Sequence, residues 1–575
     1  MDAARFAMLL LLSLILVAAA HAQSGHITLL TVADEGTLRG GTADLYLVVR
    51  PGNGAIFIDS FPLTRVDTQA SVRYANKIAC DMLQVDCGRY DFFYTIRANS
   101  AIVGGPSAGA AITVLTVAVL DNEPLDQETA MTGTINSGGI IGPVAGVTAK
   151  VSGARSAGIS KVLIPALTSP DNTSNATNVS MPDQLPLQNG VDATLSDDRV
   201  TVVRVSTVEE ALYEFTGKDY RKELPDLVVP QEYAERMGGI SAEICDRSAE
   251  LETDVAAMGR VYNDTNNYTQ RIEHVNGNPY SRASLCFSKN IELARLLLQN
   301  TSNTTRHDLY RALRVQVQEL DTQTRERSIE TIGDLETYAI VMERVREAQQ
   351  LLDTVDALNP DGDSLAYAQE RLLSAHSWST FFGMDSTPVQ LDPLYLQRAC
   401  LSKISEAEER ISYVELYAPQ AVLESHTLLE EAKRLAAVEP ILCIFTASKS
   451  KAQANLLANA ISVDRASVDA LVQQKLDADL FILKKQQDKG FFPILGYSYM
   501  QYASDLRKDN PYSALTFSEY ALELSNLDIY FPREERFYIP PHVLEGLILF
   551  SLGAVFGAGV AIFFLGKYAM RKRRS

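Results

Sequence analysis

The sequence predicts an α/β unit, then an all-α region, then a single transmembrane helix. Three observations predict it. Apolar strand-like runs alternate with helical segments over residues 26–217. Strand signals then fade, and long segments with helical spacing fill residues 230–535. Finally, residues 546–566 are 21 uncharged, mostly apolar residues, enough to span a bilayer.

The strand-like runs are "HITLLTV", "ADLYLVV", "GAIFIDS", "FFYTI" and "KVLIP". Between them lie helix-like stretches such as "TQASVRYANKIACDML" and "AGAAITVLTVAVL". The Pro/Asn/Ser-rich stretch 165–190 reads as a loop. "STVEEALYEFTG" reads as a closing helix: Ser206 or Thr207 caps it, acids fill its first turn and Gly217 ends it. The later segments "LETYAIVMERVREAQQLLDTVDAL", "LYLQRACLSKISEAEERISYVELY", "LLEEAKRLAAV" and "SALTFSEYALELSNL" read as helical hairpins. The expected division is a unit at 26–218, a helical domain at 230–535, the span at 546–566 and a basic tail at 567–575.

With 575 residues the chain is too long for one core, and 46% hydrophobic with 21% charged residues marks it as folded. A net charge of −19 argues against a nucleic-acid partner. Residues 1–22 read as a signal peptide, with a short n-region, an apolar core and small residues at Ala20–His21–Ala22. The tail carries Lys567, Arg571, Lys572, Arg573 and Arg574 and no acid, which predicts a cytoplasmic C-terminus and an ectodomain outside the cytoplasm. Gly553 and Gly557 form a GxxxG pair inside the span, one route to a homo-oligomer.

Cys80, Cys87, Cys245, Cys286, Cys400 and Cys443 lack metal-type spacing. Pairing of neighbours (80–87, 245–286, 400–443) is the expectation, with buried free thiols as the alternative. Sequons at Asn172, Asn175, Asn178, Asn263, Asn267, Asn300 and Asn303 are glycosylation candidates; the first three crowd into "DNTSNATNVS".

The stretch "IVGGPSAGAA" at 102–111 raises the functional question. Ser107 there is either helix-start punctuation or a nucleophile. A helix N-terminus favours the second use, because free N–H groups and the dipole stabilise developing negative charge. A nucleophilic serine needs a base. After signal removal His26 is the only histidine in the α/β unit, so a Ser-His-Asp triad is a poor fit. The lysines between 23 and 218 are Lys77, Lys150, Lys161 and Lys218. Lys150 lies among apolar and small residues, where desolvation favours the neutral amine that a base requires. The alternative for Lys150 is an ordinary exposed helix lysine.

"GGPSAGAAITVLTVAVL" followed by "AMTGTINSGGIIGPVAGVTAKVSGARSAGISKVLIP" closely resembles the proteolytic domain of Lon proteases, S16-type serine peptidases. The resemblance covers roughly 90–217 and extends faintly back to about 26. The family's G-P-S-A-G loop, M-T-G-x-I strand, proline-bearing glycine turn, catalytic lysine and A-G-I-x-x-V-L-I-P block stand here in order. The resemblance implies Ser107 as nucleophile, Lys150 as general base and Thr132 as the threonine that orients the lysine amine. It implies an oxyanion hole from the backbone around Gly105, Pro106 and Ala108. Two departures stand out: Gly104 and Thr134 occupy positions where family members carry acids.

No G-x-x-x-x-G-K-[ST] loop is present, so the unfoldase of Lon proteins is missing from this chain. The expectation is an ATP-independent, membrane-anchored endopeptidase acting on unfolded or flexible polypeptides, with no metal or organic cofactor implied. The sequons and the anchor point to an archaeal surface protein. A non-catalytic surface binding or assembly protein and a self-processing protease are the alternatives.

Overall fold

The computed structural model describes residues 23–531, except 34–38, 65, 104, 167–189, 222, 224, 276, 300, 385–386, 416–417 and 463–467. In the first part the strands are β1 (Gln23–Ala33), β2 (Arg39–Pro51), β3 (Ile56–Thr64), β4 (Tyr90–Val103), β5 (Thr129–Met131), β6 (Thr134–Ile135), β7 (Ile141–Gly142), β8 (Lys161–Pro165), β9 (Gly190–Val191) and β10 (Thr201–Val205). Four helices accompany them: α1 (Val66–Leu83), α2 (Gly109–Leu120), α3 (Val147–Ser156) and α4 (Val208–Thr216).

Eight strands form one sheet in the order β3-β4-β2-β1-β5-β8-β10-β9, and β6 and β7 form a separate hairpin. The β1–β2 and β2–β4 pairs are antiparallel, while β1–β5, β5–β8 and β8–β10 are parallel. Alternation explains β2: Ala43, Leu45, Leu47 and Val49 point into the core and Asp44 and Tyr46 point away. The parallel half is buried on both faces, as short strands with helices on either side require. Helix α2 packs on one face; Gly109 to Val119 are all buried, which a sequence so rich in Ala and Val permits. Helix α3 packs Val147, Val151 and Ala154 on the other, against Ala130, Val162, Ile164 and Val202. Helix α4 has the expected ends: Thr207 accepts from the Glu210 N–H, and Gly217 takes a left-handed conformation with φ +72°.

The second part is helical: α5 (Gln231–Ala257), α6 (Tyr268–His274), α7 (Pro279–Leu298), α8 (Asn303–Arg325), α9 (Ile332–Thr354), α10 (Gly362–Trp378), α11 (Pro393–Glu415), α12 (Leu423–Leu435), α13 (Pro440–Ser462), α14 (Val468–Asp488), α15 (Ile494–Leu506) and α16 (Pro511–Ser525). Disulfides join Cys80 to Cys87, Cys245 to Cys286 and Cys400 to Cys443. The second ties α5 to α7 and the third ties α11 to α13.

Both parts lie in one compact unit, and a single apolar core runs from Leu45 and Ile78 to Leu396 and Phe445. Where they meet, charge is buried as well. Lys403 and Lys451 pair with Glu406 and Glu523, all at or below 4% side-chain exposure. Ser71 Oγ of α1 donates to Glu409, and Lys77 Nζ donates to Ser402 Oγ.

The transmembrane expectation is corrected. Segment 546–566 lies outside the described residues, and among the described residues no helix is long and apolar enough to cross a membrane. Helix α2 is apolar all round, but its 12 residues rise only about 18 Å. Helix α9 has 23 residues but carries Asp334, Glu336, Glu343 and Arg344. The fold class is therefore an α/β part followed by an all-helical part. The single-pass membrane placement, with its ectodomain outside the cytoplasm, is withdrawn with the helix. The signal at 1–22 and the tail at 567–575 also lie outside the described residues.

Candidate active site

Ser107 sits where β4 gives way to α2. Gly105 turns the chain with φ +105° and ψ 154°, a region that side chains resist. A single 3₁₀ turn, Pro106–Ala108, then feeds α2. The turn is stitched to the strand beside it: Gly133 N donates to the Ser107 carbonyl at 2.9 Å, and Ala110 N donates to the Gly133 carbonyl at 3.1 Å. Gly109 is small for a reason, since a Cβ there would stand 2.8 Å from Ile135 Cγ2.

Thr132 follows β5 and is fully buried, with its N–H donating to the Leu163 carbonyl at 3.1 Å. Lys150 lies one turn into α3, beyond Gly146, which caps the helix in a left-handed conformation with φ +71°. A second pair of glycines sets how closely α3 approaches the sheet. A Cβ on Gly40 would lie 1.7 Å from the Ala149 carbonyl oxygen, and one on Gly153 would lie 2.6 Å from Gly40. Lys150 is only 4% exposed. Its Nζ donates to Thr132 Oγ1 at 3.0 Å, and Thr132 Oγ1 donates to the Ser107 carbonyl at 3.3 Å. The buried amine and the serine turn thus converge on one hydroxyl, and Ser107 itself is half-buried at a helix start.

The other candidate bases are committed elsewhere. Lys161 pairs with Glu214 at 3.1 Å. Lys218 pairs with Asp121 and Glu123, and those hydrogen bonds hold it above the ordinary lysine range. Burial pulls Lys77 down to about 8, but its amine lies over the Tyr530 ring and bonds to Ser402. His26 bonds to Asp44 and Gln127.

Of the backbone named for an oxyanion hole, Pro106 has no N–H to give. The Gly109 N–H bonds back to the Pro106 carbonyl. Gly104 lies outside the described residues. Thr134 is buried in the β6–β7 hairpin, where its Oγ1 accepts from Arg410 at 3.2 Å. Arg410 and Tyr413, which bonds to the Ala145 N–H, are contacts that sequence reasoning missed: they stand at least 260 residues beyond Lys150, with no local motif to mark them. Asn263, Asn267 and Asn303 are exposed, while Asn172, Asn175, Asn178 and Asn300 lie outside the described residues.

The comparisons define the class. Residues 95–191 match the Lon protease (S16) C-terminal proteolytic domain, so the likeness to that family lies in this stretch. Relatives include an archaeal Lon protease of Thermoplasma acidophilum, 39% identical over 15% of this chain and 13% of its own. Lon protease 2 of Thermus thermophilus is 33% identical over 21% of this chain and 16% of its own. A Lon protease of Methanosphaera stadtmanae is 30% identical over 25% of this chain and 15% of its own. The chain therefore spans under a fifth of the length of these relatives, and the helical part lies outside the family match.

Proposed function

We propose that the chain is an ATP-independent serine endopeptidase that uses Ser107 as nucleophile and Lys150 as general base on unfolded or flexible polypeptides. The observation that carries this reading is the bridge from the buried Lys150 amine through Thr132 Oγ1 to the Ser107 turn. Burial disfavours the charged form of an amine, and a neutral amine is what a base must be.

In this reading Lys150 Nζ takes the Ser107 Oγ proton as Oγ bonds to the peptide carbonyl carbon. The tetrahedral oxyanion rests on backbone N–H groups of Gly105, Ser107 and Ala108 and on the start of α2. The C–N bond then breaks, and the ammonium of Lys150 returns the proton to the departing amine. An ester on Ser107 remains. Water attacks it, gives a proton to Lys150, and Oγ leaves and recovers that proton. Thr132 Oγ1 accepts from the amine throughout and keeps its lone pair directed to the serine. The chain has no phosphate-binding loop of its own, so no step depends on nucleotide.

The test is hydrolysis of fluorescence-quenched, unfolded casein without ATP. The expected result is cleavage by the wild type and by neither Ser107→Ala nor Lys150→Ala. Equal cleavage by all three, or none by a folded wild type, overturns the reading.

A further inference from the structure

One helix of the all-α part grips the chain on both sides of the segment that links Thr132 to Lys150. Arg410 on α11 is 1% exposed. Its guanidinium donates to Thr134 Oγ1 at 3.2 Å, to the Ile135 carbonyl at 3.4 Å and to Asn136 Oδ1 at 3.1 Å. Those acceptors begin two residues after Thr132. About one turn further along α11, Tyr413 Oη accepts from the Ala145 N–H at 2.8 Å. Ala145 immediately precedes Gly146, the cap of the helix that carries Lys150. Residues 134–145 are thus held at both ends by one rigid helix. Helix α14 closes on the middle of the same segment. Lys485 Nζ donates to the Gly138 carbonyl at 3.2 Å, and Gly138 lies so close to Ile482 that a Cβ there would sit 2.5 Å from Ile482 Cγ1.

The chemistry of Arg410 is costly for a mere spacer. The acceptors that it hydrogen-bonds are neutral, its charge is felt by the buried Glu409 carboxyl next to it in sequence, and its buried Nε has no hydrogen-bond partner among the described residues. An apolar side chain of similar volume holds two elements together at least as well as a buried guanidinium. What the guanidinium adds is direction: a planar fork fixes several acceptors of one hairpin at once.

We propose that Arg410 and Tyr413 are positioning residues of the proteolytic site. Helix α11 fixes the spacing between the Thr134–Asn136 hairpin and the Ala145 turn, and so sets the Lys150 amine against Thr132. The inference rests on the proteolytic reading above. It gives part of the helical region a definite task, as an internal brace for the catalytic pair.

The experiment uses the full chain as wild type, Tyr413→Phe, Arg410→Lys, Arg410→Met and Arg398→Met, with Ser107→Ala as background. Arg398 is exposed on the same helix and serves as control. Two quantities are read: the rate of Ser107 labelling by a fluorophosphonate probe, and kcat and KM for quenched casein as functions of pH. Displacing a base by about 1 Å costs on the order of 100-fold, so Arg410→Met should lose about that in kcat and Tyr413→Phe about tenfold. KM should stay within about twofold, Arg410→Lys should recover part of the loss, and the rising limb of the pH–rate profile should move. Tyr413→Phe removes a single oxygen, so it carries the test if Arg410→Met does not fold. Wild-type labelling rates and an unmoved pH limb in Tyr413→Phe and Arg410→Lys overturn the positioning role alone. No Ser107-dependent labelling in the wild type overturns the proteolytic reading and this inference with it.

Discussion

Glu336 offers a prediction whose size follows from its surroundings. Its side chain is fully buried on α9 and reaches the start of α15, where Oε2 accepts from Ile494 N at 2.7 Å and from Leu495 N at 3.4 Å. Its other oxygen has no partner among the described residues. Burial pushes its carboxyl up to about 8 from an ordinary 4.5, and the two backbone donors offset only part of that. The folded state therefore holds a proton that the unfolded chain releases near pH 4.5. Stability from this group is full below that pH and is lost as pH rises toward 8, with a slope of about 1.4 kcal/mol per pH unit. A difference of 8 against 4.5 amounts to roughly 5 kcal/mol at most. Glutamine keeps the shape and an accepting oxygen but cannot ionise. If the roughly 500 residues of the compact unit unfold together, their entropy is near 1 kcal/mol/K, so the full effect is about 5 °C. The assay is thermal unfolding of wild type and Glu336→Gln at pH 5, 6.5 and 8. The variant should melt close to the wild type at pH 5 and should lead it by several degrees at pH 8. A gap that does not change with pH would refute the reasoning.

Three further outcomes are expected. Thr132→Val keeps the volume but removes the hydroxyl that Lys150 meets, so kcat on quenched casein should fall about 10- to 100-fold, while loss of the buried hydrogen bond, about 1–3 kcal/mol, lowers the melting temperature by only a few degrees. Gly40→Ala drives a Cβ toward the Ala149 carbonyl 1.7 Å away, forcing α3 outward; both melting temperature and Ser107 labelling should drop, and retention of either argues against the tight crossing. Glu523→Gln leaves two buried ammonium groups sharing Glu406, which should cost about 3–5 kcal/mol in urea unfolding, whereas a neutral effect would mean that the quartet is not paired as described.

The α/β part was legible where pattern is local. The strands β1, β2, β3, β4 and β8 announce themselves by apolar runs, and α4 by Thr207 and Gly217. Ser107 stood out because glycine and proline punctuate a strand-to-helix junction, and Lys150 because the α/β part holds so few bases. Thr132 came only from the family resemblance, since a lone threonine just past a short strand carries no signal of its own. The two-residue strands β6 and β7 are too brief for any periodicity to register. Arg410 and Tyr413 were invisible for a different reason. On α11 they read as one more polar and one more aromatic helix residue, and only tertiary packing brings them to the site. The apolar run at 546–566, from which hydropathy suggested a membrane span, lies outside the described residues, and no described helix supplies such a span.

The distance in sequence between α11 and the site has a consequence in time. Tyr413 is made 263 residues after Lys150. At a synthesis rate of about 5–20 residues per second, some 13–50 s separate the two on the ribosome. Throughout that interval the nascent chain already owns its serine, threonine and lysine, yet the turn before the lysine helix has no tyrosine to meet. Order of synthesis thus keeps an unfinished chain without its brace until the helices that follow have been built.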